Sequence, residues 1–230
     1  MNPSEPDAIA VIVAVRDPVK FLPAAIASIR AQVVDTAVEV VVVDDGSSDD
    51  IAAITGRSGG ARCIRQPPLG IAAALNAGLA ATTAPLIGFL DADDLMPPGS
   101  LAARAAVIGR DRDCDVVVGR MVQFLDPDIP AVVSERLRAD PRPVRAHGGG
   151  GCLIRRTVFD RVGRFDTAIG PAAFLDWVLR ARHQGIRFRE IDAVVLRRRV
   201  HGANLTLDGA TLQASYLRVA RRHLARRRRG

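Results

Sequence analysis

The sequence predicts an α/β fold with a mostly parallel central sheet flanked by helices. Three apolar and largely β-branched segments, 9–15, 38–43 and 86–90, have the length and composition of strands buried on both faces. Segments with helical periodicity separate them, and such alternation builds parallel sheets with right-handed crossovers. A chain of 230 residues is long enough to bury the core of one large domain.

The elements can be placed in order along the chain. The first strand ends at Arg16-Asp17-Pro18, and apolar residues then recur at helical spacing, where Pro23 suits the first turn. Up to residue 90 we predict strand 9–15, helix 22–32, strand 38–43, helix 50–55, strand 62–66, helix 70–81 and strand 86–90. Beyond it we predict helix 97–109, strand 115–119, strand 152–154, helix 172–184, strand 194–200 and helix 212–229.

The excess positive charge lies at the C-terminus. The net charge is +7, and the arginines that account for it are Arg218, Arg221, Arg222, Arg226, Arg227, Arg228 and Arg229. The preceding body is formally neutral and poor in aromatic residues, which argues against a nucleic-acid-binding protein. We expect the arginine-rich end either to contact an anionic membrane surface or to be a solvated tail.

Cysteine usage and the apolar segments indicate a cytoplasmic protein. If the arginine-rich end contacts lipid, the protein would lie at the inner face of the cell membrane. Cys63, Cys114 and Cys152 stand singly, so neither a zinc site nor a disulfide framework is predicted. The start at 2–7 is polar and acidic, unlike a signal peptide. The uncharged run 67–90 is broken by prolines and glycines, which disfavours a spanning helix.

Acidic residues follow three of the predicted strands: Asp17, Asp44-Asp45 and Asp91-Ala92-Asp93-Asp94. The carboxyl ends of parallel strands share one sheet edge, where open α/β sheets bind ligands, so we expect these acids to converge. Three carboxylates at one strand tip repel each other unless a cation shares their charge, and oxygen ligands suit Mg²⁺ or Mn²⁺. A helix cap is the alternative role, although one Asp would suffice for it.

Four segments together resemble family 2 glycosyltransferases of the GT-A fold. They are 11–32, VVVDDGSSDD (41–50), LGIAAALNAGLA (69–80) and LIGFLDADD (86–94). The resemblance implies a nucleotide-diphospho-sugar transferase fold over 1–230, with a nucleotide-sugar-binding half (8–110), an acceptor-side half (111–209) and a basic C-terminal helix or tail (210–230). It implies a hexosyltransferase-like enzyme that moves a sugar from a nucleoside-diphosphate sugar, UDP-linked above all, to an acceptor hydroxyl with inversion.

The resemblance also implies roles on the donor side. Asp45 would contact the nucleotide base, and Asp44 would shape the loop around it. Asp91 and Asp93 would form a DxD pair that reaches the ribose and a divalent metal, Mn²⁺ or Mg²⁺, on the diphosphate. The residues assigned to the nucleotide sugar are Asp17, Asp44, Asp45, Asn76, Gly78, Asp91, Ala92 and Asp93. The alternatives are that Asn76 is a surface residue of the helix and that Gly78 is a packing glycine.

The metal would have Asp91, Asp93, Asp94 and His201 as ligands. His201 lies in an R-x-H-x-x-N segment (199–204) similar to one in many family members. A neutral imidazole is an acceptable ligand for Mn²⁺. A histidine on the surface after a strand is the alternative.

A glycine-rich segment marks the acceptor side. It precedes RRTVFDRVGRFD (155–166), which resembles the family segment bordering the acceptor site. Consecutive glycines cost backbone entropy on folding and are used where a backbone must bend sharply or approach a ligand, and a flexible linker is the alternative. The residues assigned to the acceptor side are Gly149, Gly150, Gly151, Cys152 and Trp177.

The expected catalytic base marks the one departure from the family. FLDWVLRARHQG (174–185) resembles the family's EDxDWxLRAxxxG segment, but the acidic pair that supplies the base falls on Ala173-Phe174. Asp176 is the remaining candidate base on this helix. Its alternative role is that of an i,i+4 partner for Arg180.

Two other functions stay open. A catalytically impaired protein that binds a nucleotide sugar would keep the donor residues and lack the base. A nucleotidyltransferase shares this kind of sheet, but it needs a glycine-rich, basic phosphate loop after the first strand, where Arg16-Asp17-Pro18 stands instead.

Overall fold

The computed structural model describes residues 8–17, 19–129, 137–202, 204 and 209–227. The strands are β1 (Ala8–Val15), β2 (Ala37–Asp44), β3 (Arg62–Arg65), β4 (Leu86–Asp91), β5 (Val116–Leu125), β6 (Val144–Arg145), β7 (Cys152–Arg155) and β8 (Phe188–Val200). The helices are α1 (Leu22–Arg30), α2 (Ile51–Arg57), α3 (Ile71–Ala80), α4 (Ser100–Arg110), α5 (Thr157–Val162), α6 (Ala173–His183) and α7 (Gly209–Arg227). Single 3₁₀ turns cover Val19–Phe21, Gly149–Gly151 and Gly170–Ala172.

One sheet joins these strands in the order β3-β2-β1-β4-β7-β5-β6, and β8 pairs with β5. The first four are parallel neighbours. Strand β7 then runs antiparallel to both β4 and β5, and β8 returns parallel to β5. The predicted α/β class with a central sheet flanked by helices is therefore confirmed, and one antiparallel strand separates its two parallel parts.

Helices cover both faces of the sheet because its central strands are apolar on both sides. On one face Ile12 and Phe89 pack in a core with residues of α3, α5 and α6. On the other face Val11 and Leu90 pack in a core with residues of α1, α2 and α4. Each fully buried large apolar side chain contributes about 1.5–3 kcal/mol. The strand ends that carry the acidic motifs are thus held by two cores.

Strands β5 and β8 are longer than the predicted strands 115–119 and 194–200. They pair in parallel along their length. The added part of β8 carries charged side chains and that of β5 is mostly half-buried, and the ion pair Arg120–Asp192 (2.7 Å) joins them. Apolar periodicity detects only the buried part of such a strand, which is why the prediction was short.

Helix α4 begins at Ser100 and not at residue 97, since two prolines and Gly99, with a φ of +75°, precede it. The predicted last helix is present as α7, and residues 228 and 229 lie outside the described residues. Among the described helices, none combines the length and the apolar character that crossing a membrane requires. The division of the chain at residues 110 and 209 stays a prediction.

Candidate active site

The carboxyl ends of β1, β2 and β4 meet at one edge of the sheet. The parallel register places Asp44 and Asp91 level with the last residues of β1. Asp17 follows β1, and its carboxylate accepts hydrogen bonds from the backbone N–H (3.4 Å) and the hydroxyl (3.1 Å) of Ser48 in the loop after β2. The acids predicted to converge therefore lie along the same edge.

Asp91, Asp93 and Asp94 form an acid cluster in the tight turn after β4. One carboxylate oxygen from each lies within 4.8 Å of the other two. The turn is closed by a hydrogen bond from the Asp94 backbone N–H to the Asp91 carbonyl oxygen (3.0 Å). Asp91 is exposed, Asp93 is half-buried and Asp94 is buried. Ala92 lies between them and brings no side-chain ligand.

The acid cluster is electrostatically strained at neutral pH. Crowding by protein atoms, with the Asp93 charge adding to it, raises the pKa of Asp91 to about 6, although solvent reaches this side chain and the Arg198 charge opposes the shift. Burial, followed by the charges of Asp91 and Asp93, raises the pKa of Asp94 well above its usual value. A cation among these oxygens would relieve the repulsion, so the donor set fits Mg²⁺ or Mn²⁺.

His201 completes the acid cluster from the end of β8. Its Nε2 lies 3.0 Å from the Asp93 Oδ2, and its ring packs 4.7 Å from that of Phe21. The Asn204 side chain accepts from the His201 backbone N–H (2.7 Å) and donates to the Asp93 Oδ2 (3.1 Å). His201 is buried, so the alternative of a surface histidine is wrong. For Nε2 to bind a cation, the ring must carry its proton on Nδ1.

A second layer of charge supports this turn, and the sequence patterns missed most of it. Arg199 donates from Nε to the Asp93 carbonyl oxygen (3.0 Å) and from Nη1 to Asp126 (3.2 Å). Lys20 also pairs with Asp126 (3.2 Å). Burial alone would raise the pKa of Asp126, but the two cations outweigh it and hold that pKa below its usual value. Asp126 lies in the irregular stretch after β5, where no motif marks it.

Asp44 and Asp45 organise the loops between β2 and α3. Asp44 accepts from the Ser47 backbone N–H (2.7 Å), which suits its expected loop-shaping role. Asp45 is buried and accepts from the Gln66 side chain (2.7 Å) and from the backbone N–H groups of Leu69 (2.8 Å) and Gly70 (2.9 Å). Asp45 therefore anchors the start of α3, and a nucleotide base would have to share a carboxylate that is already hydrogen-bonded.

Asn76 and Gly78 both make structural contacts from α3, and their expected place beside a diphosphate stays a prediction. The Asn76 amide donates to the Phe165 carbonyl oxygen (2.9 Å) and accepts from the Phe165 backbone N–H (3.0 Å). Gly78 lies against Ile12 so closely that a Cβ would overlap its side chain. The packing alternative for Gly78 agrees with this contact. Asn76 is half-buried, and its two hydrogen bonds join α3 to the segment after α5.

The glycine turn, Gly149–Gly151, is a packed structure and not a flexible linker. An added Cβ at Gly151 would overlap Ala146, and one at Gly149 would lie 3.1 Å from Phe89. The buried Arg104 donates to the carbonyl oxygens of Gly150 (3.4 Å) and Cys152 (2.8 Å). Because β7 runs antiparallel to β4, the turn lies beside the end of β4 that carries the acid cluster.

Cys152 is an inert member of this region. Its side chain is buried at the start of β7, and burial raises the pKa of its thiol to about 12. A thiol with so high a pKa carries almost no thiolate at neutral pH. Cys152 therefore has a packing role beside the glycine turn.

Asp176 does not have the surroundings of a catalytic base. Its side chain is fully buried, and Oδ2 accepts a hydrogen bond from Nε of Arg180 (2.8 Å). Oδ1 lies 3.1 Å from Nε2 of His223 on α7. The structure contains the i,i+4 pair, and burial together with the Arg180 and His223 contacts places this carboxylate between α6 and α7; a role as catalytic base stays a prediction.

Trp177 and Phe174 belong to an aromatic core. The Trp177 ring is fully buried, stacks 4.8 Å from that of Phe159, and donates from Nε1 to the Gly163 carbonyl oxygen (2.9 Å). Phe174 stacks 5.8 Å from Phe165 and borders the glycine turn. An acceptor-binding role for Trp177 is not supported, and aromatic packing occupies the helix start where the resemblance expects acids.

A family model describes the part of the chain that builds this edge. The model for glycosyl transferase family 2 matches residues 10–163, from β1 to the end of α5. The chain belongs to glycosyl transferase family 2. Membership of this family supports transfer of sugar groups as its activity. The match includes the acid cluster and the glycine turn, and it ends before Asp176 and His201.

Relatives extend the likeness over most of the chain. An uncharacterized glycosyltransferase of Mycobacterium tuberculosis is 34% identical over 194 residues, which are 81% of this chain and 84% of that protein. The succinoglycan biosynthesis protein ExoU of Rhizobium meliloti is 30% identical over 241 aligned positions, 90% of this chain and 68% of ExoU.

Solved structures of S. aureus TarS share the fold of this family 2 glycosyltransferase. TarS 1–349 has a TM-score of 0.66 at 19% identity, covering 83% of this chain. Its complex with UDP-GlcNAc has a TM-score of 0.69 at 18% identity, covering 87% of this chain. The chain spans only 60% of either TarS structure.

Proposed function

We propose that this protein transfers a sugar from a nucleoside-diphosphate sugar to an acceptor hydroxyl, with inversion and with a divalent cation held by the acid cluster. The observation that carries the proposal is the cluster itself. Three close carboxylates and a buried imidazole stand at the carboxyl edge of the parallel strands. Structural neighbours solved with UDP and UDP-GlcNAc support a UDP-linked donor.

The residues of the cluster would divide the work of holding the cation and the diphosphate. Asp91 and Asp93 offer accessible oxygens, whereas Asp94 is buried and held by the Arg199 backbone N–H (2.9 Å). His201 and Asn204 orient Asp93 through its Oδ2, and His201 can supply a nitrogen ligand. When bound, a divalent cation supplies a Lewis acid for the charge that develops on the departing diphosphate.

The acceptor hydroxyl has to lose its proton, and α6 offers no exposed carboxylate for this step. Positions 173 and 174 are Ala and Phe, and Asp176 is buried and paired. General base catalysis contributes about 10²–10⁴ in rate. This observation favours a second candidate function, a nucleotide-sugar-binding protein with little transferase activity.

Calorimetric titration of UDP and GDP, with and without Mn²⁺, tests the donor site. We expect metal-dependent binding of UDP that Asp93→Ala weakens by about 100-fold or more, because the change removes a ligand and uncouples His201. Asp192→Ala is the matched control, since Asp192 is an exposed aspartate in β8, the strand that precedes His201. Binding that is metal-independent and indifferent to Asp93→Ala would contradict the proposed site.

Hydrolysis of UDP-sugars separates the enzyme from the binding protein. A wild-type protein that binds UDP and slowly hydrolyses the donor, with hydrolysis lost in Asp93→Ala, supports the enzyme. Binding without any hydrolysis or transfer to added acceptors supports the second candidate. Asp176→Asn that folds and retains donor hydrolysis would agree with the assignment of Asp176 to the core.

A further inference from the structure

Helix α7 presents two different faces. Its inner face packs on α6 and on the Gly170–Ala172 turn and buries Ser215, Val219 and His223. Polar contacts fasten this face: His223 to Asp176, Arg222 to Asp166, and Arg218 to the Ile169 carbonyl oxygen. The helix is therefore held in one orientation on the body of the protein.

The outer face of α7, formed by Tyr216, Leu217, Ala220 and Leu224, is apolar and exposed. Leu217 is 50% exposed and Leu224 is 59% exposed. They lie seven residues apart, two helical turns, on the side opposite the buried residues. Tyr216, at 48% exposure, borders the same strip. Three of the large apolar side chains exposed in the described part of the chain thus lie on one helix.

The charge around this face selects its partner. Residues 209–230 contain seven arginines and no acidic residue. Arg221, which is exposed, lies between Leu217 and Leu224 along the helix. An apolar strip with the exposed Arg221 beside it, in a segment rich in arginine, complements a bilayer with anionic headgroups, whereas a second copy of the same helix would bring like charges together.

We propose that the outer face of α7 docks on an anionic phospholipid bilayer. Leu217 and Leu224 enter the boundary between headgroups and acyl chains, Tyr216 lies at headgroup level, and Arg221 contacts lipid phosphates. Because the inner face fastens α7 to α6, this docking sets the orientation of the folded domain on the surface. The proposal does not rest on the proposed donor or on the metal.

Sedimentation with lipid vesicles tests the proposal on the full chain. Vesicles of pure phosphatidylcholine are compared with vesicles containing about a quarter phosphatidylglycerol. We expect binding to the anionic vesicles only, weakening as salt is added. The double variant Leu217→Gln with Leu224→Gln should lower the partition coefficient about tenfold or more. Arg221→Gln should lower it less. Val33→Gln is the matched control, since Val33 is an exposed apolar residue after α1.

The thermal midpoint of each variant checks that the inner face still holds α7. Equal binding to both vesicle types, or full binding by a folded double variant, overturns the proposal. A wild-type dimer that the double variant converts to monomer, without vesicle binding, would instead make this face a contact between copies and also overturns it. If the protein bound duplex DNA but no vesicles, the proposal would also be overturned, and nucleic acid would be the partner of this face.

Discussion

The family resemblance assigns a functional role to both Asp91, as part of the DxD pair, and Asp176, as candidate base, but the two lie in opposite electrostatic surroundings. Asp91 is exposed beside two other carboxylates, and its pKa is raised to about 6. Asp176 is fully buried, with Arg180 and His223 on its two oxygens. Like charges crowd Asp91, and the Arg198 charge opposes them, whereas Asp176 already has Arg180, His223 and, at 3.9 Å, Arg222 as partners.

The contrast indicates what makes an acid available for function. A clustered, accessible carboxylate is costly to ionise and gains from an added cation. A buried carboxylate with matched partners gains nothing from a ligand and loses much when a partner is removed. The acid cluster at the sheet edge therefore suits an added cation, whereas Asp176 joins α6 to α7.

The largest effect is expected from Asp176→Ala. The change leaves Arg180 and His223 buried without their carboxylate, so the free energy of unfolding should fall by about 3–5 kcal/mol. Urea denaturation measures it. Asp192→Ala, which removes an exposed ion pair, should cost about 1 kcal/mol or less. A catalytic, non-structural Asp176 would give a stable Asp176→Ala protein instead.

At the acid cluster, His201→Ala should weaken Mn²⁺ binding about 10–100-fold, because it removes both a candidate ligand and a group that orients Asp93. Calorimetry of Mn²⁺ binding in the presence of UDP is the measurement. His147→Ala provides the control, since His147 is exposed before the glycine turn. Equal Mn²⁺ affinity in both variants would remove His201 from the site.

The glycine turn gives an effect on stability alone. Gly151→Ala should lower the free energy of unfolding by about 1–3 kcal/mol, since its Cβ would overlap Ala146. Gly148→Ala is a close control, because nothing lies within 4 Å of a Cβ there. Thermal or urea unfolding compares the two variants. If both were equally tolerated, the turn would be a loose linker.

The smallest effect concerns pH. Asp91 has a folded-state pKa of about 6 against an ordinary value of 3.8, so the folded state binds the proton more tightly than the unfolded state. This group therefore destabilises the metal-free protein as pH rises through about 4 to 6. Wild type should lose stability relative to Asp91→Asn over that interval, and Mn²⁺ affinity should fall below about pH 6. A pH-independent difference between the two proteins would contradict the raised pKa.

Much of the fold could be predicted, and so could the position of the acidic residues at the carboxyl ends of β1, β2 and β4. Strands such as β1, β2 and β4 are buried on both faces, so their apolar runs are unmistakable, and the acids at their ends follow from the parallel register. The family assignment from four short segments was confirmed. His201 was predicted from its motif, whereas its burial and its contact with Asp93 were not.

What remained out of reach depends on contacts between residues far apart in the chain. The ion pair of Lys20 with Asp126 joins residues 106 positions apart, and no local pattern records it. Asn76 is occupied by the Phe165 backbone, 89 positions away. The outer part of β8 was missed because charged side chains interrupt its apolar pattern, and that of β5 because its side chains are mostly half-buried.

Local pattern was enough to establish the α/β class, the order of its elements and the convergence of acids at one edge, because periodicity and turn chemistry act over a few residues. The roles of individual acids follow from long-range packing. Asp176 meets His223 of α7 across 47 positions, and that contact makes a motif aspartate part of the core. Burial and partners, which are properties of the folded chain, distinguish a carboxylate that binds a ligand from one that holds two helices together.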